Sequence, residues 1–595
     1  MTQEEKKLSE QAIEFFKKKD YDKSKSLYEE ILKTNPKVSF IYGNLGVIFK
    51  IKGDINRAIK CYIEAIKLDP KNIPIYNNLA NAFKEIKNYK MALQVYADIL
   101  KINPNDFNTF NNIGIIFELI GDNNKAIEAY KQAVRINPNH AKSINNIGVV
   151  LYKQKKYKES AQIFEIALQV DENYFEVYSN KGAAYNKAKE YDKAIESLEM
   201  AILKMPNHGG AYTNLGNVYN KLHDYEKASK LHEKSIELEP NGSNAYSNLG
   251  TSYKYLGLSN KAISSYKKAI ELDPNFVNAH FDLATMYLAM EDFENGWKEY
   301  EWRFKKEEMI PHIIRHKDIF SKPLFTGAED IKGKILLLHS EQGYGDSIQF
   351  IRFLPQIKEK FGCKIAVKCR EGLKELFQTM SEIDVIADRN EATPMFDYQL
   401  SIMSMPFILG MKSINDLPSQ MPFLFPKEDS DFNDIKPVKG KINIGISWSA
   451  SKTSESRDER IFDLSYLEAI IKNPKINVYS LQIDGQEDIK KYGYENDIID
   501  LTSKLINFDK TASLINKLDL VISSDTAVVH LAGSINKPIW VVLPKIPDWR
   551  WTNKGETTKW YPSAKLFRQK TARVWDGVFQ SINAKLSKKY KIRVS

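Results

Sequence analysis

The chain has 595 residues, of which 43% are hydrophobic and 27% charged, and it carries a net charge of +10. This is enough chain for two or three domains, and the composition excludes a disordered, collagenous or disulfide-stapled protein. The surplus positive charge is spread over many lysines without a compact Lys/Arg block, which argues against a dedicated nucleic-acid surface.

The N-terminus, Met1-Thr-Gln-Glu-Glu-Lys-Lys, has no apolar signal core, and no apolar run approaches the ~20 residues that span a bilayer. Cys61, Cys363 and Cys369 are too few for a disulfide framework and form no Cys-x-x-Cys metal motif, so no metal site is expected. The expected location is the cytoplasm, with room for peripheral contact at the inner face of the membrane.

From the N-terminus onward, Asn/Asp-x-Gly/Ala triplets recur every 34 residues. They begin at Asn44, Asn78, Asn112, Asn146, Asn180, Asn214, Asn248 and Asp282. A second ladder has the same interval: Pro36, Pro70, Pro104, Pro138, Pro206, Pro240 and Pro274, with Glu172 on the remaining rung. A fixed period of this length predicts stacked helical pairs. In unit 39–72, small Gly46, Ala58 and Ala65 sit where two helices must touch, Leu45, Phe49 and Tyr62 fill the space between, and Pro70 is expected to stop the second helix.

The repeating positions resemble the tetratricopeptide repeat. Units fall near 5–38, 39–72, 73–106, 107–140, 141–174, 175–208, 209–242 and 243–276. A partial one at 277–304 has no closing proline, as a capping unit fused to the next domain would. Asparagine is a poor helix former and adds nothing to an apolar seam. The ladder Asn44, Asn78, Asn112, Asn146, Asn180, Asn214 and Asn248 is therefore expected to line an acceptor groove, where one amide can pair with the main chain of an extended peptide. A similar ladder occurs in the superhelix of protein O-GlcNAc transferases, where it holds acceptor polypeptides. The competing reading is that each Asn only bonds a neighbouring helix.

After Trp302-Arg303 the period changes. Apolar runs Ile335–Leu338, Ile365–Val367, Val385–Ile386, Ile442–Trp448, Asn477–Leu481, Leu518–Ser523 and Pro538–Leu543 alternate with helical stretches, one of them from about Ser347 to Phe361. The pattern predicts parallel sheets covered by helices, in two Rossmann-like lobes at 312–436 and 437–595. Two strand ends carry chemistry-capable residues. In Glu341-Gln-Gly-Tyr-Gly-Asp346, Gly343 and Gly345 permit a tight turn and close approach of a ligand, and Asp346 lies at the start of a helix, where the plain reading is an N-cap. Ile348 stands where a dinucleotide fingerprint needs its third glycine, which argues against NAD. In Ser523-Ser-Asp525-Thr526-Ala-Val-Val-His530, the helix start suits a diphosphate, with Thr526 and His530 within reach; the alternative is an Asp cap and a buried histidine. A loop with Ser449, Ser451, Lys452, Arg457 and Arg460 is a candidate phosphate clamp.

In order, these pieces resemble bacterial proteins in which tetratricopeptide repeats are fused to a domain similar to glycosyltransferase family 9, the heptosyltransferases. The resemblance runs through Gly296-Trp297, Tyr300-Glu-Trp-Arg303, Glu341-Gln-Gly-Tyr-Gly-Asp346, Asp397, Met405-Pro406, Gly445-Ile-Ser-Trp448, Ser480-Leu-Gln482, Asp525-Thr-Ala-Val-Val-His530, Pro547-Asp-Trp-Arg-Trp551 and Trp560-Tyr-Pro562.

It implies an all-α superhelix followed by an α/β GT-B pair of lobes, acceptor side first and donor side second. It implies inverting, metal-independent transfer from a nucleotide-sugar co-substrate, with no other cofactor. Asp346 would be the general base. Asp525, Thr526 and His530 would hold the donor diphosphate, with Ser449, Arg460 and Gln482, and Trp549 and Trp551 near the nucleotide. Ile461 stands where relatives often carry Ser, and Ala527 replaces a family glycine, so ADP-heptose as donor is not implied. The acceptor would be a polypeptide or a glycan. Alternatives are a transferase acting on a surface glycan or lipid-linked sugar, and a non-catalytic repeat scaffold with degenerate lobes. RNA binding is disfavoured because basic and aromatic residues are not interleaved.

Overall fold

The computed structural model describes residues 1–436, 438–449 and 460–594. The chain divides into two compact units, Met1–Pro240 and Asn241–Ser595. The first is all-helical: seven antiparallel pairs, from Gln3–Lys17 with Tyr21–Thr34 to Gly209–Lys221 with Tyr225–Leu238.

Small residues on the first helix of each pair let a large side chain of the second lie on its backbone. A Cβ on Gly46 would stand 2.4 Å from the Tyr62 ring, on Gly114 2.4 Å from Tyr130, and on Gly148 2.6 Å from Phe164. In the next two pairs Leu198 and then His232 take the ring's place against Gly182 and Gly216. These are distances that real Cβ atoms do not adopt, so the pairing depends on the missing methyl group.

The prolines do not set the helix ends. The second helices stop at Thr34, Leu68, Ile102 and Ile136, two residues before each proline, and the fifth stops at Val170, two before Glu172. Asp171, with φ −144°, has the same extended conformation as Asp69, with φ −138°. The repeat geometry ends the helix, and proline only agrees with it.

The second unit contains the last two helical pairs, Ser243–Tyr255 with Ser259–Leu272 and Val277–Ala289 with Phe293–Tyr300. Compactness thus groups the repeats after residue 240 with the α/β part, although the repeat sequence runs on to about 304. The closing helix is short because it docks. Trp297 is 1% exposed and meets Phe350 and Trp549 edge-on, with ring centroids 5.7 and 5.4 Å away. Burying that ring contributes on the order of 4 kcal/mol.

Two all-parallel sheets follow. The first contains β1 (Ile335–His339), β2 (Lys364–Lys368), β3 (Val385–Ala387) and β4 (Tyr398–Ser401) in the order β3-β2-β1-β4. The second contains β5 (Ile442–Ser447), β6 (Ile476–Ser480), β7 (Ile498–Asp500), β8 (Leu520–Ser524), β9 (Ile539–Leu543) and β10 (Ala564–Arg568) in the order β10-β9-β8-β5-β6-β7. Strands β4, β7 and β10 are absent from the sequence reading; Tyr398–Ser401 and Ile498–Asp500 are only four and three residues long. The helix expected at Ser347–Phe361 starts earlier, at Tyr344. A 3-10 turn at Ile351–Phe353 breaks it before Leu354–Phe361, whose first turn contains Pro355.

One apolar core joins the closing repeat to both sheets, including Trp297, Leu338, Phe350, Leu400, Val521, Leu531 and Trp560. A second core lies between the six-stranded sheet and the helix Asp576–Tyr590.

The missing Cβ is testable. Gly114→Ala should cost about 1–3 kcal/mol through overpacking against Tyr130. It should lower the thermal midpoint followed by circular dichroism. Gly577→Ala, on a helix with no neighbour within 4 Å, should leave the midpoint unchanged or raise it.

Candidate functional site

In each sheet the strand order reverses beside the first strand, between β1 and β4 and between β5 and β8. Crevices of this kind open outside the carboxyl ends of the strands. At the β5/β8 reversal the structure gathers most of the expected donor residues.

Gln482, at the end of β6, accepts through Oε1 from the Ser447 hydroxyl (3.0 Å) and the Ser449 backbone N–H (3.1 Å), and donates to Asp484 (2.6 Å). It braces the end of β5 and the start of the following loop. Ser451, Lys452 and Arg457 lie outside the described residues. Arg460 reaches the reversal point and donates to the Asp525 carbonyl at 3.4 Å.

Thr526 opens the helix Ala527–Ser534 in extended conformation, and its hydroxyl pairs with Ser523 at 3.1 Å rather than capping the helix. Thr526, Ala527 and Val528 are half-buried, so the uncapped first turn stays accessible. Such a turn presents backbone N–H groups and the positive end of the helix dipole.

Asp525 and His530 lie deeper. Burial, then Asp548, pushes the Asp525 carboxyl up to about 6 against Arg460. His530 Nε2 is 4.0 Å from Asp525, its Nδ1 is 3.0 Å from the Tyr561 hydroxyl, and its ring stacks on Trp551. Burial, then Arg550, pushes it down to about 3, so the imidazole is neutral at neutral pH. It can share a hydrogen bond but contributes no charge to a phosphate.

Gly343 and Gly345 have separate uses. The Gly343 N–H donates to Asp346 Oδ2 at 2.8 Å, which makes Asp346 a cap three residues into its helix. A Cβ on Gly345 would stand 2.5 Å from the His530 ring, so the glycine lets the two helices meet. Asp346 and His530 are thereby brought onto neighbouring helices from different sheets.

Asp346 is not open. Its second oxygen accepts from Arg550, a residue the sequence reading quoted but gave no role. The Arg550 guanidinium also donates to Asp548 (2.7 Å) and Gln349 (2.7 Å). Burial pushes Asp548 up, but Arg550 overrides this and holds its carboxyl below the usual range.

The other reversal point is filled. Arg303, 1% exposed, donates to Glu341 at the end of β1 (2.5 Å) and to Ser404 after β4 (2.7 Å). An arginine flanked by aromatic residues, as in Trp302-Arg303-Phe304 and Trp549-Arg550-Trp551, is the signal that identifies both buried cations.

In the first unit the asparagine ladder is half-buried and partly committed. Asn146 donates to Asn111 (3.0 Å), Asn180 to Asn145 (3.1 Å) and Asn214 to Ser179 (3.1 Å), each reaching into the preceding repeat. Asn44 donates to Tyr28 (3.1 Å). Asn78 and Asn112 make no such bond among the described residues, and Asn248, in the second unit, accepts from Ser252 only through its backbone. The ladder straps neighbouring repeats at Asn44, Asn146, Asn180 and Asn214, whereas Asn77 and Thr213, which precede the rungs facing Asn112 and Asn248, bond within their own repeats.

Among the described residues there is no group of three metal-ligating side chains, and no helix is long and apolar enough to cross a membrane.

Comparison with known proteins agrees with the first half of the chain. Models described as TPR repeat match residues 46–87 and 119–155. Models described as tetratricopeptide repeat match 73–106, 173–238, 207–275 and 265–299. The first 300 residues or so are therefore tetratricopeptide repeats.

The chain is 28% identical over 323 residues to protein FlbA of Caulobacter vibrioides, covering 49% of this chain and 51% of that protein. It thus spans about half the length of the curated relative it matches. Among solved structures it is similar to a tetratricopeptide repeat protein from Parabacteroides merdae (19% identity, 42% of this chain and 99% of that one, TM-score 0.36). It is also similar to MamA (27% identity, 28% and 92%, TM-score 0.25).

Two outcomes test this geometry. Asn146→Ala should lower the thermal midpoint, because a bond to buried Asn111 is worth about 0.5–1.5 kcal/mol, whereas Asn112→Ala should not. Equal midpoints would remove the strapping role. The second outcome concerns pH. His530, His339 and His312 are pushed by burial from 6.5 to about 3, about 3 and about 4. Their contribution is complete above pH 6.5 and is lost as pH falls toward 3–4, while Asp525, Glu341, Asp282 and Asp509, all raised by burial, act in the opposite sense. Calorimetry should find a lower midpoint at pH 5 than at pH 7; a higher one would contradict the buried neutral histidines.

Proposed function

We propose that residues 312–595 are an inverting, metal-independent glycosyltransferase with a heptosyltransferase-like GT-B fold. The repeats capture its acceptor, a polypeptide. What supports this reading is the convergence of Ser449, Arg460 and the uncapped Thr526 helix start on the β5/β8 reversal. These groups donate hydrogen bonds and positive potential where a nucleotide diphosphate would lie.

In the reaction, Asp346 accepts the proton of an acceptor hydroxyl. The hydroxyl oxygen attacks the anomeric carbon opposite the diphosphate, and the bond from that carbon to the diphosphate oxygen breaks. Arg460, Thr526 and the first-turn N–H groups take the charge on the departing nucleoside diphosphate. Arg550 must first release Asp346, so the described arrangement is a resting one. No other cofactor is invoked, and the protein acts in the cytoplasm.

The second reading, a repeat scaffold with a degenerate α/β part, is favoured by one observation: both oxygens of Asp346 are occupied.

A thermal-shift panel of nucleoside diphosphates and their sugars separates the two. One donor class should raise the midpoint, since a ligand at 100 times its Kd stabilises the folded state by about 2.7 kcal/mol. Arg460→Ala should remove the shift. Asp346→Asn should keep it and lower transfer at least ~100-fold. If no nucleotide in the panel shifts the midpoint, the transferase reading falls and the scaffold stands.

A further inference from the structure

Within the second unit, a cleft of about 1130 Å³ lies beside the carboxyl ends of β9 and β10. One wall is the turns of the last two helical pairs, around Gly257–Lys261 and Ala289–Glu291. The other is the chain following β9 and β10. The residues after those strands therefore face the repeats.

The lining is cationic and rich in donors. Lys261 comes from the repeats, and Lys545, Lys554 and Lys559 come from the α/β part; Glu291 is the lining carboxylate. None of the four lysines is ion-paired among the described residues: Lys261 lies over the Tyr253 ring, and Lys559 donates to Asn415. Gln569 is 5% exposed, and its Nε2 has no hydrogen-bond partner, while its carbonyl oxygen accepts from the Arg573 N–H. A buried amide left without an acceptor costs about 1–3 kcal/mol, which a ligand oxygen would offset. Arg568 is a structural neighbour, since its guanidinium is used up on the carbonyls of Trp551, Thr552 and Gly555.

The occupant must therefore be rich in acceptors and negatively charged. The apolar part of the lining says what else it carries. Leu258 and Met290 are 43% and 47% exposed at the mouth, with Ile414 and Ile546 half-buried beside them. The aromatic residue of the lining, Trp560, is only 2% exposed and offers no face for a sugar or a base to stack on. Exposed aliphatic side chains among unpaired ammonium groups match a polypeptide in which acidic and aliphatic residues are mixed, and not a polyanionic glycan or a nucleic acid.

We propose that this cleft is a docking site for an acidic, aliphatic-rich polypeptide segment held between the last repeats and the α/β part. The site requires no catalytic step, so it stands or falls independently of the transferase reading.

The test is fluorescence anisotropy on the full chain, without nucleotide. The probes are a fluorescein-labelled peptide of repeated Glu-Glu-Leu triplets, its Gln-Gln-Leu counterpart and labelled heparin. The acidic peptide should bind, with affinity falling as salt rises. The double variant Lys545→Glu/Lys554→Glu from one wall, and Lys261→Glu from the other, should each weaken it, the double variant by roughly tenfold or more. All these positions are exposed, and calorimetric midpoints will show whether each variant is folded. Unchanged affinity in a folded variant, or equal binding of the Gln-Gln-Leu peptide, would overturn the proposal. Tighter binding of heparin than of the acidic peptide, lost in the same variants, would overturn the polypeptide assignment in favour of a glycan.

Discussion

In six of the nine described helical pairs the helices meet where a Cβ is missing, and buried Ala12, Ala80 and Ala284 hold that position in the others. In the repeats a ring or branched side chain lies on the backbone of Gly46, Gly114, Gly148, Gly182, Gly216 and Gly250. In the α/β part His530 lies on Gly345 and Tyr561 on Gly533 in the same way. A single added carbon at any of these points would collide at under 3 Å. Close-packed interiors cannot absorb this without moving backbone. The pairing of helices within these repeats and the approach of the Asp346 helix to the His530 helix thus obey one steric rule.

Charge is managed by enclosure. Arg303 and Arg550 are buried guanidiniums, each bonded to carboxylates and neutral acceptors from separate elements. A buried pair of this kind adds little net stability, but losing one partner is costly because the other is left unpaired. Arg303, from the end of the repeats, occupies the β1/β4 reversal. Arg550 bridges from the chain after β9 to the Asp346 helix. The first closes one crevice. The second, with the Gly343 N–H, occupies both oxygens of Asp346.

Much of the architecture was legible along the chain. The 34-residue period located the helical pairs, and the apolar runs located β1, β2, β3, β5, β6, β8 and β9. Strands β4, β7 and β10 escaped because Tyr398-Gln-Leu-Ser401, Ile498-Ile-Asp500 and Ala564-Lys-Leu-Phe-Arg568 mix polar with apolar residues and form no continuous apolar run. At the site, Gly345, Asp346, Asp525, Thr526 and His530 were identifiable from their positions at strand ends. Their partners were not: Arg550 is 204 residues from Asp346, and Gln482 turns inward to brace β5.

Local pattern alone determined the repeats, the strand–helix alternation and the chemistry-bearing strand ends, because backbone period and turn chemistry act over a few residues. Only the tertiary structure decided that Asn44, Asn146, Asn180 and Asn214 bond into the preceding repeat, that Asp346 is held by Arg550, and that His530 is neutral under Gly345. Each of these rests on a contact or a burial that forms between distant segments when the chain packs. Packing, and not local preference, sets which polar atoms find partners and which charges lose their water.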